Sequence, residues 1–137
     1  MMLGMATGLN SGISVQDLGL TNLTCADGLA VGRASGFIGA LMTPFISGCY
    51  SLSDERMYYM LAQLADSEGI YLEPSALAGM YGPILTERDP LFSQYIKQLS
   101  SSAFCVTHLV WVTGGSMVPK EDMDHYYQTG KNICLPL

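Results

Sequence analysis

A hydroxyl side chain followed by two glycines stands in the segment 112–119 of this 137-residue chain, whose sequence is VTGGSMVP. The apolar run 109–111 (LVW) leads into it and is typical of a β-strand. Such a strand would present the Thr113 hydroxyl at its carboxyl end, where Gly114 and Gly115 leave no Cβ to keep a flat ligand away. Ligands bind at strand ends of this kind in open α/β sheets, so we expect a ligand site at Thr113.

A carboxylate is predicted at the same edge of the sheet. Glu73 precedes Pro74, where a short predicted strand over 70–72 gives way to a helix. Thr113 and Glu73 could therefore converge on an aromatic nitrogen heterocycle, with the hydroxyl donating to the ring nitrogen and the carboxylate lying alongside. From spacing alone, a simple carboxylate at a helix start explains Glu73 equally well.

The segment 26–36 is rich in glycine and carries Asp27 directly before Gly28. An Asp before a Gly in a loop can orient backbone amides, although the pair more often marks a turn. The glycines follow the spacing G-x-x-x-G-x-x-x-G, which is neither the dinucleotide fingerprint nor a P-loop. Close packing against a neighbouring element is the favoured interpretation of this spacing.

The histidines and cysteines indicate neither nucleophilic catalysis nor a metal site. His108 and His125 have no serine or cysteine nucleophile at a recognisable elbow, and we interpret them as structural. The cysteines form no C-x-x-C pair and have no histidine at ligand spacing, so we interpret them as thiols; they are Cys25, Cys49, Cys105 and Cys134.

The elements that position these residues alternate between strand and helix, which predicts an α/β fold. One helix is predicted to begin after Ser53 as N-cap and to end at Gly69. Its apolar residues recur at helical spacing and are Met57, Met60, Leu61 and Leu64. The other expected elements are strands over 13–15 and 107–112, helices from Ser35, from Pro74, over 91–99 and from Pro119 to Gly130, a loop over 81–90 and an aperiodic tail over 131–137.

Composition limits the possible partners. Charged residues make up 13% of the chain, about half the usual share of roughly one quarter, so the chain must bury most of its surface or cover it with a partner. The net charge of −6 and the scattered basic residues argue against nucleic acid as a partner.

The apolar stretches 1–9 and 37–46 fall short of the roughly 20 residues that span a membrane. Without a positively charged leader, the chain is expected in the cytoplasm.

Four segments closely resemble the D-serine ammonia-lyases, also called D-serine dehydratases. They are 13–20 (ISVQDLGL), 26–37 (ADGLAVGRASGF), 72–80 (LEPSALAGM) and 107–115 (THLVWVTGG). The resemblance runs from about residue 3 to Gly130, in the family's order. We therefore interpret 1–130 as the C-terminal portion of such an enzyme and 131–137 as an unmatched tail.

The resemblance implies a fold type II pyridoxal-phosphate enzyme, with a three-layer αβα architecture similar to that of tryptophan synthase β. It also implies elimination of water from D-serine to give pyruvate and ammonia. Thr113, with Gly114 after it, matches the residue that hydrogen-bonds the pyridine nitrogen, and Glu73 matches a carboxylate beside the cofactor ring. Asp27 and Gly28 match a loop near the active site.

The chain departs from the family because the Schiff-base lysine has no counterpart, and neither has the glycine-rich loop that cradles the phosphate. None of Lys97, Lys120 and Lys131 has the family's Ser-x-Lys setting. The chain thus resembles only the C-terminal third of the enzyme, with an N-terminus that resembles an internal stretch, and we expect it to be inactive alone.

Its expected partner is the missing N-terminal portion or a second copy of itself. Two alternatives stay open. One is a non-catalytic remnant that acts as an interaction partner, and the other is a stand-alone enzyme that uses Lys97 or Lys120 as the Schiff-base lysine. The sequence leaves any metal or monovalent cation undetermined.

Overall fold

A computed structural model describes residues 13–99 and 106–135 of the chain. The chain divides into two compact units, one up to Leu52 and one from Ser53 onwards. Helices predominate in the described residues, and the β-structure found among them is one isolated antiparallel bridge between Ser14 and Arg33.

From residue 13 onwards, the N-terminal unit has loops, three 3-10 turns and helix α1, Gly36–Met42. The turns are Gln16–Leu18, Asp27–Leu29 and Thr43–Phe45. The helix expected from Ser35 is confirmed, because the Ser35 hydroxyl accepts a hydrogen bond from the Ile38 N–H at 3.5 Å and caps α1. A Cβ at Gly32 would lie 3.0 Å from Nδ2 of Asn22, which supports the interpretation of this glycine as a packing residue.

The described residues of the C-terminal unit form five α-helices and the 3-10 turn Ala78–Met80. The α-helices are α2 (Asp54–Glu68), α3 (Pro74–Leu77), α4 (Tyr81–Arg88), α5 (Pro90–Leu99) and α6 (Lys120–Lys131). Helix α2 packs on α6 and on α3, while α4 packs on α5. The buried apolar side chains of the unit are Met57, Met60, Leu61, Ala62, Ala65, Leu72, Ala76, Leu77 and Met123.

Helix α2 has the predicted ends and the predicted buried face. The Ser53 hydroxyl accepts from the Arg56 N–H at 3.4 Å, and Gly69 has φ +67° with its N–H donating to the Ala65 carbonyl at 3.0 Å. A glycine suits that left-handed position because it has no Cβ to clash with the backbone. This helix is therefore confirmed.

The predicted loop over 81–90 is wrong, because these residues form α4 and the start of α5. Pro83 is tolerated because it is the third residue of α4, where a backbone N–H has no partner within the helix. Asp89 separates the two helices: its Oδ1 accepts from the N–H of Leu91 at 2.8 Å and of Phe92 at 3.3 Å. Side-chain capping thus starts α5 where the pattern indicated only a turn.

Gly130 does not end the last helix, as was predicted, but lies within α6, which continues to Lys131. A Cβ at Gly130 would overlap the carbonyl oxygen of Tyr58 and would lie 3.0 Å from Cβ of Ala62. The glycine therefore lets α6 approach the backbone of α2. Lys131 belongs to this helix and not to the tail.

The three predicted strands, 13–15, 70–72 and 107–112, are not strands in the structure. Each has a β-type composition, but a ladder also needs a neighbouring strand to accept and donate its backbone hydrogen bonds. The described residues supply no such neighbour beyond the single bridge at Ser14. The α/β class accordingly stays a prediction, and the described residues are mostly helical.

Candidate functional site

The double glycine packs directly against the segment Tyr71–Glu73. A Cβ at Gly115 would lie 2.7 Å from the carbonyl oxygen of Tyr71 and 3.0 Å from Cα of Leu72. Gly115 is buried and has φ +118°, a backbone conformation that side chains rarely adopt. Only glycine fits this contact without moving the backbone.

The side chain of Glu73 occupies the place that a Cβ would take at Gly114. Such a Cβ would lie 2.5 Å from Oε2 and 2.6 Å from Oε1 of Glu73, and Gly114 also has a positive φ, +67°. The structure therefore brings Glu73 and Gly114 together, but without the sheet edge on which the prediction relied.

Thr113 directly precedes Gly114 in the chain and is exposed, whereas Glu73 is half-buried. Neither side chain has a hydrogen bond to any other described residue. The arrangement thus offers a hydroxyl that can donate, a carboxylate that can accept, and a stretch of backbone without Cβ atoms. Those features suit the edge of a flat polar ring.

A second hydroxyl lies two residues after Glu73, and sequence reasoning did not single it out. Ser75 Oγ, in the first turn of α3, is buried without a hydrogen-bond partner among the described residues. A buried polar atom left in this state costs about 1–3 kcal/mol. Nothing in the residue pattern distinguishes Ser75 from an ordinary first-turn serine, so its burial could be found only from the structure.

Asp27 and Gly28 lie in the N-terminal unit, both exposed, in the 3-10 turn Asp27–Leu29. The Gly28 N–H donates to Oδ1 of Asp27 at 2.7 Å. The pair thus forms the turn that the sequence favoured, and within it the aspartate accepts a hydrogen bond from the next backbone amide. Their role near an active site stays a prediction.

An open cleft of about 490 Å³ borders Gly115 on the C-terminal unit. Its lining residues are Tyr71, Gly115, Ser116, Val118, Lys120, Met123 and Asp124. Lys120 and Asp124 are four residues apart on α6, a spacing that places them on one face of the helix. The sequence left Lys120 open as a Schiff-base lysine of a stand-alone enzyme, but it could not place Lys120 at this cleft, because the cleft depends on how α6 packs near Tyr71.

The other two lysines in question lie elsewhere. Lys97 is exposed on α5. Lys131 Nζ donates to Oδ2 of Asp66 at 2.7 Å, and the pKa of Lys131 is raised by this hydrogen bond. A Schiff base forms from a neutral amine, so the higher pKa makes Lys131 a poor candidate.

The described ranges, 13–99 and 106–135, contain neither a cluster of metal-binding side chains nor a membrane-spanning helix. No group of three His, Cys, Asp or Glu side chains there could hold a metal ion. No helix among those residues has both the length and the hydrophobicity to cross a membrane.

Comparison with known proteins turned up close relatives. The probable D-serine dehydratase of Bacillus cereus is 54% identical over 135 residues, which is 98% of this chain and 30% of that protein. The probable D-serine dehydratases of Bacillus thuringiensis and Bacillus anthracis are each 53% identical over the same shares. This chain is homologous to the C-terminal portion of probable D-serine dehydratases. No protein-family model matches it.

The chain spans about 30% of the length of these dehydratases. The resemblance that the four segments indicated is thereby confirmed. Because 135 of the 137 residues are matched, the comparison with the dehydratases includes the loop at Asp27, the segment at Glu73 and the loop at Thr113.

Proposed function

We propose that this chain forms the C-terminal portion of a pyridoxal-phosphate-dependent D-serine dehydratase and holds the pyridine-nitrogen side of the cofactor. In the intact enzyme the reaction would remove water from D-serine and release pyruvate and ammonia. The names of the relatives support the substrate. The observation that carries the proposal is the contact of the Glu73 carboxylate with Gly114, the residue that follows the exposed Thr113 in the chain.

The residues present fit one edge of the cofactor. A pyridine nitrogen accepts one hydrogen bond, and the Thr113 hydroxyl is a donor whose hydrogen is not used by any described residue. Gly114 has no Cβ that would hold the ring away. The Glu73 carboxylate lies at the position that such a Cβ would occupy. When bound, pyridoxal phosphate supplies an electron sink conjugated with the substrate.

The type of donor at Thr113 has a chemical consequence. A neutral hydroxyl keeps its proton, so Thr113 leaves the ring nitrogen largely unprotonated and moderates the electron sink. That tuning would favour loss of the β-hydroxyl of the substrate over transamination. Glu73 lies beside the ring in this proposal, and Asp27 holds the Gly28 amide in a loop near the active site.

The remaining parts of the proposal concern extent and fold. The dehydratase portion extends past residue 130, because a match over 135 residues includes at least five of the seven residues 131–137, and the intact enzyme has the three-layer α/β architecture. The chain has no counterpart of the Schiff-base lysine or of the phosphate loop. We therefore expect turnover only with a polypeptide that supplies both.

A complementation assay tests the proposal. The full chain is mixed with the part of the Bacillus cereus relative that it does not cover, together with pyridoxal phosphate and D-serine, and pyruvate is measured. We expect pyruvate from the mixture and none from either part alone. Robust turnover by this chain alone would contradict the proposal, and so would an inactive mixture in which the two parts bind each other.

Thr113→Val then tests the site itself, because it removes the donor while nearly keeping the shape. We expect kcat of the mixture to fall by about tenfold or more, with a smaller change in the binding of the two parts. Thr21→Val is the matched control, since Thr21 is an exposed threonine whose side chain has no hydrogen bond in the described part of the chain. Equal rates for the two variants would remove Thr113 from the site.

A second candidate function is a non-catalytic interaction partner. Large apolar side chains are exposed in both units, among them Phe37 at 75% and Leu91 at 75%. Contiguous exposed apolar surface often marks a contact with another protein. This candidate predicts a stable complex with a second copy or with an intact homologue, without any effect of Thr113→Val.

A further inference from the structure

The cleft beside Gly115 brings one cation and one anion to the same wall. Lys120 and Asp124 line the cleft from consecutive turns of α6, and both side chains are exposed. Neither has an ion pair or a hydrogen bond to another described residue. Both charges are therefore available to a ligand.

The order of the two charges along the helix explains why they do not neutralise each other. Side chains at positions i and i+4 have Cβ atoms about 5–6 Å apart, close enough for an ion pair. The favourable order places the acid before the base, but in α6 Lys120 comes first and Asp124 follows four residues later. An exposed pair also gains little from direct contact, so a ligand with two opposite charges can replace it at little cost.

Two hydroxyl groups complete the polar lining of the cleft. They belong to Tyr71 and Ser116, and neither hydroxyl has a hydrogen bond to another described residue. The ring of Tyr71 is held in place by the ring of Tyr127, with centroids 6.0 Å apart and an interplanar angle of 54°. The Tyr127 hydroxyl in turn donates to Asp66 at 2.6 Å. This wall of the cleft is thus positioned before any ligand binds, which lowers the entropic cost of binding.

The rest of the lining is apolar. Met123 is buried and Val118 is half-buried, and Gly115 adds backbone without a Cβ. The volume of about 490 Å³ lies within the range of about 300–1,000 Å³ that is usual for small-molecule sites. The cleft therefore suits a small ligand that has a short apolar part between two opposite charges.

The balance of charge in the lining selects among ligand classes. A phosphate or a dicarboxylate would place a negative group near Asp124, and a diamine would place a positive group near Lys120. A free α-amino acid carries one carboxylate and one ammonium on a single carbon. Its carboxylate can accept hydrogen bonds from Lys120, and its ammonium can donate to Asp124, in charge-assisted hydrogen bonds.

We propose that this cleft is a binding site for a free α-amino acid, with the ligand carboxylate at Lys120 and the ligand ammonium at Asp124. This inference goes beyond the proposed function, because it assigns a second ligand to the C-terminal unit and requires no turnover. Since the cleft is open and its charged groups are exposed, we expect a dissociation constant on the order of 1 mM.

Saturation-transfer difference NMR on the full chain measures such weak binding directly. L-Alanine is the probe, because it has no β-hydroxyl to eliminate. Ethylamine lacks its carboxylate and propionate lacks its ammonium. We expect a saturable signal from L-alanine and an affinity about tenfold or more lower for each of the other two, since each leaves one charge of the cleft without a partner.

Substitutions in α6 identify the site. Lys120→Gln and Asp124→Asn should each weaken the binding of L-alanine by about tenfold or more. Lys97→Gln and Asp122→Asn are the matched controls, because they remove the same charges at exposed positions outside the cleft and should leave the affinity unchanged. All four positions are exposed, so the helical circular dichroism of the variants should match that of the unchanged chain.

The remaining outcomes would overturn the inference. They are no signal from L-alanine, equal affinities for the three ligands, and equal effects of the cleft variants and their controls. Glu73→Gln distinguishes the cleft from the contact at Gly114 and should leave the affinity for L-alanine unchanged. A loss as large as that of Asp124→Asn would place the ligand at Glu73 and overturn the cleft site. The pyruvate assay tests the proposed function separately, because L-alanine binding is measured on this chain alone.

Discussion

Asp66 links the last turns of α2 and α6 through two donors. The Tyr127 hydroxyl donates to its Oδ1 at 2.6 Å, and Lys131 Nζ donates to its Oδ2 at 2.7 Å. The hydrogen bond from Lys131, followed by that from Tyr127, lowers the pKa of Asp66 below its ordinary 3.8. The same carboxylate raises the pKa of Tyr127 above 10.0 and that of Lys131 above 10.5.

The directions of these pKa shifts predict how the cluster of Asp66, Tyr127 and Lys131 stabilises the fold as the pH changes. The contribution of Asp66, whose folded pKa is depressed, is present above its unfolded pKa and is lost as the pH falls through the folded pKa. The contributions of Tyr127 and Lys131, whose folded pKa values are raised, are present below their unfolded values and are lost as the pH rises through the folded values. The melting temperature difference between the chain and Asp66→Asn should thus be largest between about pH 5 and 9 and shrink at both extremes.

Glu68→Gln is the control for that measurement, because it removes a carboxylate from the same end of α2, where Glu68 is exposed and has no ion pair among the described residues. We expect the melting temperature of this variant to differ little from that of the unchanged chain, and the difference should not shrink at both low and high pH. A difference for Asp66→Asn that stays constant across the range would contradict the assignment of the pKa shifts to the cluster.

The site residues differ in how far the sequence could predict them. Thr113 and Glu73 were identified because a hydroxyl before two glycines and a carboxylate before a proline are local signals. The contact of Glu73 with Gly114 depends on packing between segments about 40 residues apart, and it was expected for the wrong reason, a shared sheet edge. The cluster at Asp66 was missed, since its partners are 61 and 65 residues away.

At the level of elements, local and distant interactions explain which predictions were right. Helix α2 was predicted with both its ends because an N-cap, an apolar period and a terminal glycine all lie within the helix or next to it. The predictions of strands were wrong because a β-ladder needs a second segment as its partner, and local composition does not reveal that partner. Helix α4 was missed because Pro83 was interpreted as a loop signal, although its position in the first turn makes it compatible with a helix.

The contact between α2 and α6 gives a prediction at this scale. Gly130→Ala gains helix propensity of about 1 kcal/mol, but its Cβ would overlap the Tyr58 carbonyl, which is backbone and cannot turn aside. We expect a net loss of about 1–3 kcal/mol in the free energy of unfolding, measured by urea denaturation. Gln128→Ala, at an exposed position of the same helix, should change the stability little. A Gly130→Ala chain as stable as the original would contradict this expectation, because the cost of the overlap would then be no larger than the gain in helix propensity.

At the scale of the whole molecule, the low charge content and the exposed apolar surface have one explanation. A chain with 13% charged residues needs most of its surface covered, yet large apolar side chains remain in solvent in both units. Helix α1 and the turn after it illustrate this: Phe37 is 75% exposed and Leu41 52% exposed in the helix, and Phe45 is 75% exposed in the 3-10 turn Thr43–Phe45. Burial of one phenylalanine ring stabilises a contact by roughly 1.5–3 kcal/mol before the costs of association.

The isolated chain should therefore self-associate, and its sedimentation coefficient should rise with concentration above that of a 14.8 kDa monomer. Phe37→Lys with Phe45→Lys should weaken this association by about tenfold or more, since two exposed rings are replaced by charged groups. Gln94→Lys with Gln98→Lys adds the same charge at exposed polar positions of α5 and should have a smaller effect. A monomer at every concentration would mean that the exposed rings do not drive association. If the two double variants weakened self-association equally, the added charge would explain the weakening, and the loss of apolar surface would play no part.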